Sequence, residues 1–231
     1  MAVYNQGKQL AKVLETIRAQ SPSVSYEVVV CNDGSDDDTA EVCTFYGVTC
    51  AYLDRPFYAN PAKARNVAYR LAKGDIIIAQ SAETYHETDD SIDRLAEVEP
   101  GKFNVATVYE MSEHGAKIAQ YTGPMNRRPF FFLGSIRRDD LYAVGCDDED
   151  FAVPGFDDDW LAARLIRGLH LTPVFRDDVV GCHQHHWRPP QAIAMEWFPE
   201  ARNLFTSKMA DAERTRCWLA AGGAWPLEVT T

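Results

Sequence analysis

Val28-Val29-Val30-Cys31-Asn32-Asp33-Gly34-Ser35 is an apolar run that stops in a cluster of turn residues. A short run of β-branched residues bounded by turn signals reads as a strand buried on both faces, the usual state of a strand inside a parallel sheet. We therefore expect a strand over residues 26–31. Gly34 supplies the freedom in φ that a tight turn needs. Asp36, Asp37 or Asp38 can then cap a helix that runs to about residue 46. Working outward, 48–53 reads as a second strand. Leu10, Val13, Leu14 and Ile17 recur at helical spacing and place a helix over 8–19. A further helix is expected over 61–72, closed by Gly74, followed by a third strand over 75–79 that carries Ile76-Ile77-Ile78. Such alternation of helix and strand predicts an α/β fold, with a mainly parallel central sheet and helices on both faces. In sheets of that kind ligands bind at the carboxyl ends of the strands, here residues 32–35 and 80–86.

The second half is less regular. Helices are expected over 89–98, 137–144 and 157–167, with Leu161, Leu165 and Ile166 facing inward and Gly168 closing the last. Strands are expected over 103–109 and 169–175. The stretch 111–135, with Gly115, Gly123, Pro124, Pro129 and Gly134, reads as loop. With no repeat, low-complexity segment or linker composition, residues 1–231 read as one domain. It divides into 1–88, 89–200 and a tail over 201–231.

The net charge is −11, from 34 acidic and 23 basic residues. A polyanion-binding protein carries a basic footprint, so nucleic acid is not the expected partner. The six cysteines form no C-x-x-C pair and are too sparse for a disulfide scaffold, which points to reduced thiols and a cytoplasmic protein. Neither a signal peptide nor a transmembrane segment is legible.

Four constellations carry chemistry. Asn32 and Asp33, at the end of the first strand, can pair with a nucleobase and ribose hydroxyls, or merely form a strand-to-helix turn. Ser81-Ala82-Glu83, at the end of the third, puts a carboxylate where it can ligate a cation beside a diphosphate, or simply expose it in a loop. Asp157-Asp158-Asp159 opens a helix, where acids complement the macrodipole. Three in a row beside Trp160 also suggest a general base with an aromatic ring for an acceptor. His183, His185 and His186 put three imidazoles in four residues, a metal-ligating composition, with His183 and His185 on one face of a strand.

In this order the pieces resemble the inverting family 2 glycosyltransferases of the GT-A fold, over about residues 1–190. Tyr4-Asn5 looks like the family's opening Y-N. Glu27 to Thr39 looks like its strand and Asp-Asp-Gly-Ser turn, and Ala64-Arg65-Asn66 with Lys73-Gly74-Asp75 like its A-R-N and G-D pair. Arg138 to Phe151 looks like its R-to-D-E-D-F stretch, and Asp157-Asp158 with Leu161 and Arg164 like its Glu-Asp before L-x-x-R. The resemblance implies a hexosyltransferase-type enzyme that moves a sugar from a nucleotide-sugar, a UDP-sugar by preference, to an acceptor hydroxyl. It implies a nucleotide-binding part over 1–88, an acceptor-binding part over 89–200, and Asp158 as catalytic base. Tyr4, Asn32, Asp33, Arg65 and Ser81 are implied at the donor, with Arg65 beside the nucleotide or bracing Asp33. Asp157 and Trp160 are implied at the acceptor. Glu83 and His183, with His185 and His186 behind them, would ligate Mn²⁺ or Mg²⁺. The chain departs from the family at Asn32, which replaces Asp, and at Ser81, which replaces the first acid of Asp-x-Asp. It departs again at Asp157, which replaces Glu, and in a first strand only three residues long before Tyr4.

Two alternatives stand beside this reading. One is a transferase fold without activity that binds a nucleotide or glycan. The other is a nucleotidyltransferase, for which Asn5-Gln6-Gly7-Lys8 would have to cradle a triphosphate. Trp187, Trp197 and Tyr142 are further candidates for a sugar platform. Trp218, Leu219 and Trp225 are candidates for docking on the core or on a second subunit.

Overall fold

The structure, a computed structural model, describes residues 1–55 and 57–219. In chain order its elements are β1 (Ala2–Val3), α1 (Gly7–Arg18), β2 (Val29–Asn32), α2 (Thr39–Tyr46), β3 (Thr49–Tyr52), α3 (Ala62–Leu71), β4 (Ile76–Gln80), β5 (Thr84–His86), α4 (Ser91–Ala96), β6 (Lys102–Met111), β7 (Lys117–Thr122), β8 (Leu133–Arg137), α5 (Arg138–Ala143), α6 (Asp157–Ala163), β9 (Thr172–His183), α7 (Pro190–Ile193) and α8 (Phe198–Thr215). Trp225 lies outside the described residues.

Two sheets share the work. The first is parallel, in the order β1-β2-β3, with all four residues of β2 buried at its centre. Short as it is, β1 is fully engaged: Cys31 N donates to Met1 O and Asp33 N to Val3 O, each at 2.8 Å. The second sheet runs β4-β8-β6-β9-β5, with β7 paired to β6. It is mixed: β6 and β9 are parallel and its other pairings antiparallel. The expected parallel order therefore holds for the strands at 29–32 and 49–52, whereas the third strand expected beside them, β4, pairs antiparallel with β8.

The apolar face of α1 is where its spacing placed it, with Leu10, Val13, Leu14 and Ile17 all buried. Each such side chain contributes about 1.5–3 kcal/mol by leaving water. Leu10 and Leu14 pack with Val3, Val30, Cys43 and Ala82. Asp37 ties two helix starts together: it accepts from Thr39 N at 3.1 Å for α2 and from Gly7 N at 2.8 Å for α1. The helix expected over 157–167 divides. The α-helical part ends at Ala163, and a π-helical turn spans Arg164–Gly168, with Arg164 fully buried. The loop expected over 111–135 contains β7 and the start of β8, and the strand expected over 169–175 runs on to His183. That extension carries the chain across the sheet to the carboxyl end of β4.

A cavity between a histidine cluster and an acidic helix start

A cavity of about 390 Å³ opens at the carboxyl ends of β1, β2 and β4. Tyr4, Asp33, Arg65, Ser81, Glu83, Asp157, Asp158 and His186 line it. Six segments far apart in sequence thus converge on one space. A larger cavity, about 540 Å³, opens at the opposite ends of β2 and β4 among Tyr26, Val28, Tyr69 and Ile77. Among the described residues its acids and histidine, Glu27, Asp75 and His86, form no metal-ligating group.

The nucleotide side is built on the turn after β2. Gly34 has φ of 83°, and a Cβ there would lie 2.3 Å from Arg55 O, so both conformation and space demand glycine. Asn32 is 2 % exposed and its Oδ1 accepts from Ser35 N at 2.9 Å, which shapes the turn. Asp33 faces the cavity, held by Arg55, whose Nε donates to Oδ1 at 2.8 Å and whose second nitrogen reaches Oδ2. The brace of Asp33 is therefore Arg55, not Arg65. Arg55 sits in the loop after β3, where no periodicity marks it.

Arg65, on α3, serves a different cluster. Its guanidinium contacts Asp147 at 3.3 Å, Asp157 at 2.6 Å and Asp158 at 3.0 Å. Burial raises the pKa of Asp158, the neighbouring Asp157 raises it further, and Arg65 only partly offsets them; the value is about 7. Phe156, just before this acidic run, holds a left-handed φ of 60°, and Gly155 N donates to Asp157 Oδ1 at 3.1 Å. The outermost acid, Asp159, pairs with Arg128 on the cavity rim. Arg65→Ala would leave two well-buried carboxylates, Asp147 and Asp157, without their cation. The expected loss is about 3–5 kcal/mol of stability, read from urea unfolding.

Trp160 is placed away from the cavity. It is 2 % exposed and packs with Phe151 and Ala212, and its Nε1 donates to Asp148 at 2.7 Å. No face is open to an acceptor. Trp218 lies against it, ring centres 6.1 Å apart, so this part of the tail docks on the core. Tyr142 is also committed, donating its hydroxyl to Tyr69 O at 2.7 Å.

The histidine cluster forms because β5 pairs with β9, setting Thr84 opposite His183. Gln184 N then donates to Glu83 O at 2.9 Å. Glu83 Oε1 lies 3.0 Å from His183 Nε2 and 3.8 Å from His186 Nε2. One donor atom from each of the three residues lies within 4.8 Å of the others. Burial works against ionisation of Glu83, but the hydrogen bond from His183 and the two imidazoles outweigh it and lower its pKa. Burial lowers the pKa of His186. Tyr121 and Phe132 box His183 edge-on at 5.2 and 5.4 Å, and its Nδ1 is buried without a hydrogen-bond partner among the described residues. Gln6 Nε2 lies 2.8 Å from His186 Nδ1 and turns that ring's other nitrogen toward Glu83. His185 is exposed and outside the cluster. β9 ends at His183, so the alternation that paired His183 with His185 stops there and His186 takes the place.

At about 2.0–2.2 Å from each ligand a divalent cation separates its ligands by about 3–4 Å, so small side-chain movements would close this set on one ion. A carboxylate and two imidazoles are chemically suited to it.

Among solved structures, a mannosyltransferase from Pyrobaculum calidifontis in complex with GDP-Man and Mn²⁺ shares the fold, with a TM-score of 0.63 and 17% identity over 83% of this chain and 57% of that one. Residues 1–349 of TarS from S. aureus in complex with UDP-GlcNAc give a TM-score of 0.63 and 17% identity over 83% of this chain and 59% of theirs. The chain thus spans under two thirds of the length of either neighbour. No curated protein sequence matches it. The sequence model of Glycosyl transferase family 2 matches residues 1–149. With well over half of its length matched and a GT-A fold around the cavity, the chain belongs to glycosyl transferase family 2.

Proposed function

We propose that the protein transfers a sugar from a UDP-sugar to an acceptor hydroxyl, inverting the anomeric centre, with a divalent cation at Glu83, His183 and His186. One observation carries this reading. A half-buried carboxylate held by Arg65 beside Asp157, Asp158, shares a cavity with that ligand set, and burial and Asp157 raise its pKa. A base tuned near neutrality and a place for a diphosphate's counter-ion are the two things such a transfer needs.

Asp158 accepts the proton of the acceptor hydroxyl. The hydroxyl oxygen attacks the anomeric carbon from the face opposite the diphosphate, so one C–O bond forms as the other breaks and the configuration inverts. Arg65 and the hydrogen-bonded Asp157 fix the carboxylate in place. The cation, when bound, neutralises charge on the departing diphosphate. Tyr4 and Asp33 take the base and ribose, with Asn32 shaping the turn beneath them, and Ser81 lies toward the phosphates. A mixed carboxylate and imidazole set favours Mn²⁺ over the harder Mg²⁺. The Mn²⁺ in the Pyrobaculum neighbour supports the cation, and the UDP-GlcNAc in the TarS neighbour supports the UDP-sugar over the GDP-Man of the first. Residues 1–88 supply the donor side and 89–200 most of the acceptor side.

The acceptor is a glycan or another hydroxyl compound. Trp187, 66 % exposed, stands edge-on to Tyr58, which stacks on Trp197 at 5.9 Å and meets Tyr4 at 6.2 Å. That aromatic row leads from the donor wall outward and offers a flat face to a sugar ring. Among the described residues no helix is long and apolar enough to cross a membrane. Six unpaired cysteines suit the cytoplasm.

The test is hydrolysis of UDP-, GDP- and dTDP-sugars in Mn²⁺. Slow release of UDP from one sugar nucleotide, abolished by chelation, is the expected result. Absence of turnover, with no thermal shift from any nucleotide plus metal, would replace this reading with a binding module. Pyrophosphate release from a nucleoside triphosphate would replace it with a nucleotidyltransferase.

A further inference from the structure

Past His183 the chain leaves β9 and folds back on the start of α1. Gln184 Nε2 donates to Gln9 O at 3.0 Å and to Glu83 O at 3.1 Å. That anchoring brings Arg188 to the histidine cluster. Its Nε donates to His186 Nε2 at 3.4 Å, and its Nη2 donates to the Tyr121 hydroxyl at 3.2 Å. The Nδ1–H of His186 donates to Trp187 O at 2.9 Å, which leaves Nε2 as the accepting nitrogen of that ring. Arg188 thus holds the lone pair that His186 would give a cation. On the donor site proposed above, we propose that Arg188 and the divalent cation are alternative partners of His186 Nε2, and that Arg188 pairs with the donor's diphosphate when the cation takes that nitrogen.

The surroundings of the other arginines single this one out. Arg65 is shared by Asp147, Asp157 and Asp158, Arg128 is paired with Asp159, and Arg55 with Asp33. Arg188 donates to two neutral groups instead, and Glu110 lies 3.8 Å away, beyond hydrogen-bonding range. Its charge is therefore the least compensated of the four. The side chain is 38% exposed and has room to turn. A planar guanidinium matches two phosphate oxygens at once. A cation on His186 removes the acceptor of Arg188 Nε and sets a like charge beside the guanidinium, and a diphosphate offsets both. Arg188 therefore opposes the cation when it binds alone and favours the diphosphate when it binds with the cation. It couples the two ligands, and the coupling is reciprocal.

Titration calorimetry at pH 7.5 tests this without turnover, first with Mn²⁺ alone and then with UDP at saturating Mn²⁺. Arg188→Gln should bind Mn²⁺ alone about two- to fivefold more tightly, the worth of an exposed charge pair. The same variant should bind UDP about 10- to 100-fold more weakly, the worth of hydrogen bonds to a charged group. A purely structural role would weaken both. Arg188→Lys keeps the charge without the fork, and its affinity for UDP should fall between wild type and Arg188→Gln. Where wild type binds both ligands, unchanged or weaker Mn²⁺ binding in Arg188→Gln, or unchanged UDP binding, would each overturn the exchange and leave the donor site in place. A wild type that binds neither Mn²⁺ nor UDP would overturn the donor site, and the role of Arg188 with it.

Discussion

Asp158→Asn is expected to lower sugar transfer by about 10²- to 10⁴-fold, the usual worth of a positioned general base. Asparagine keeps the shape of the side chain and can still accept from Arg65 NH1, which lies 3.0 Å from the carboxylate. What it cannot do is take a proton. Donor affinity should stay within about threefold of wild type, since a single neutral substitution at the acceptor side changes little at the nucleotide. The pH profile supplies a second reading. The base works ionised, and its pKa is about 7, set by burial and by Asp157. Wild-type transfer should therefore fall as pH drops through about 7, and the residual activity of the variant should lose that limb. Stability moves the other way. A carboxyl whose folded pKa lies above its unfolded value of about 3.9 stabilises the fold most below that value, and the effect is lost as pH rises through the folded pKa. At pH 8 the charge on Asp158 works against the fold, so the variant should melt at the same temperature as wild type or higher. Transfer above a tenth of the wild-type rate would take the base away from Asp158. A lowered melting temperature would assign the carboxylate a structural part instead.

How much of this was legible in sequence differs element by element. The helices at 7–18 and 62–71 were readable because one face of each packs on a sheet and the spacing records it. β8 was hidden by its own glycine. Gly134 looks like loop punctuation, yet a Cβ there would lie 2.5 Å from Asn104 O, so the glycine is what lets β8 lie against β6. β7 is an exposed outer strand with half its residues in solvent, and it leaves little apolar pattern. The tail from 201 is different, because its signal was present. Ala201, Leu204, Phe205, Met209 and Ala212 recur at three- and four-residue steps along α8, and most of them meet Phe151, Trp160 and Phe156. At the site, motif order pointed to the acids and His183, which lie at or beside the ends of regular elements. Arg55, Gln6 and Tyr58 lie in loops or at a helix edge, and only the folded chain brings Gln6 and Tyr58 to the cavity and Arg55 to Asp33 on its wall. Trp160 shows the converse. An aromatic beside three acids suggests a sugar site by composition, but its position one turn into α6 turns it to the core.

Loss of either half of the histidine cluster should have the second large effect. Glu83→Ala and His183→Ala are each expected to weaken Mn²⁺ binding by at least the roughly 10- to 100-fold that loss of an outer-shell partner alone costs a metal site. Titration calorimetry at pH 7.5 without nucleotide measures this directly, free of any catalytic readout. The apo site is ready for a cation at that pH. Glu83 is ionised because His183 and His186 hold its pKa low in spite of burial, and burial keeps His186 neutral. Acidification should reverse both conditions and release metal, since ligands must be deprotonated to bind. His185→Ala is the control. It removes a histidine from the same short segment but from an exposed position outside the cluster, and should bind Mn²⁺ as wild type does. The same difference should appear in thermal unfolding. Metal at about a hundred times its dissociation constant adds about 2.7 kcal/mol to a folded state that binds it. That gain should be present in wild type and in His185→Ala and missing in the other two. Equal shifts in all four proteins would place the cation elsewhere. Absence of a shift in wild type at millimolar Mn²⁺ would leave the diphosphate to be neutralised by side chains alone, with Arg65 and Arg128 on the cavity wall.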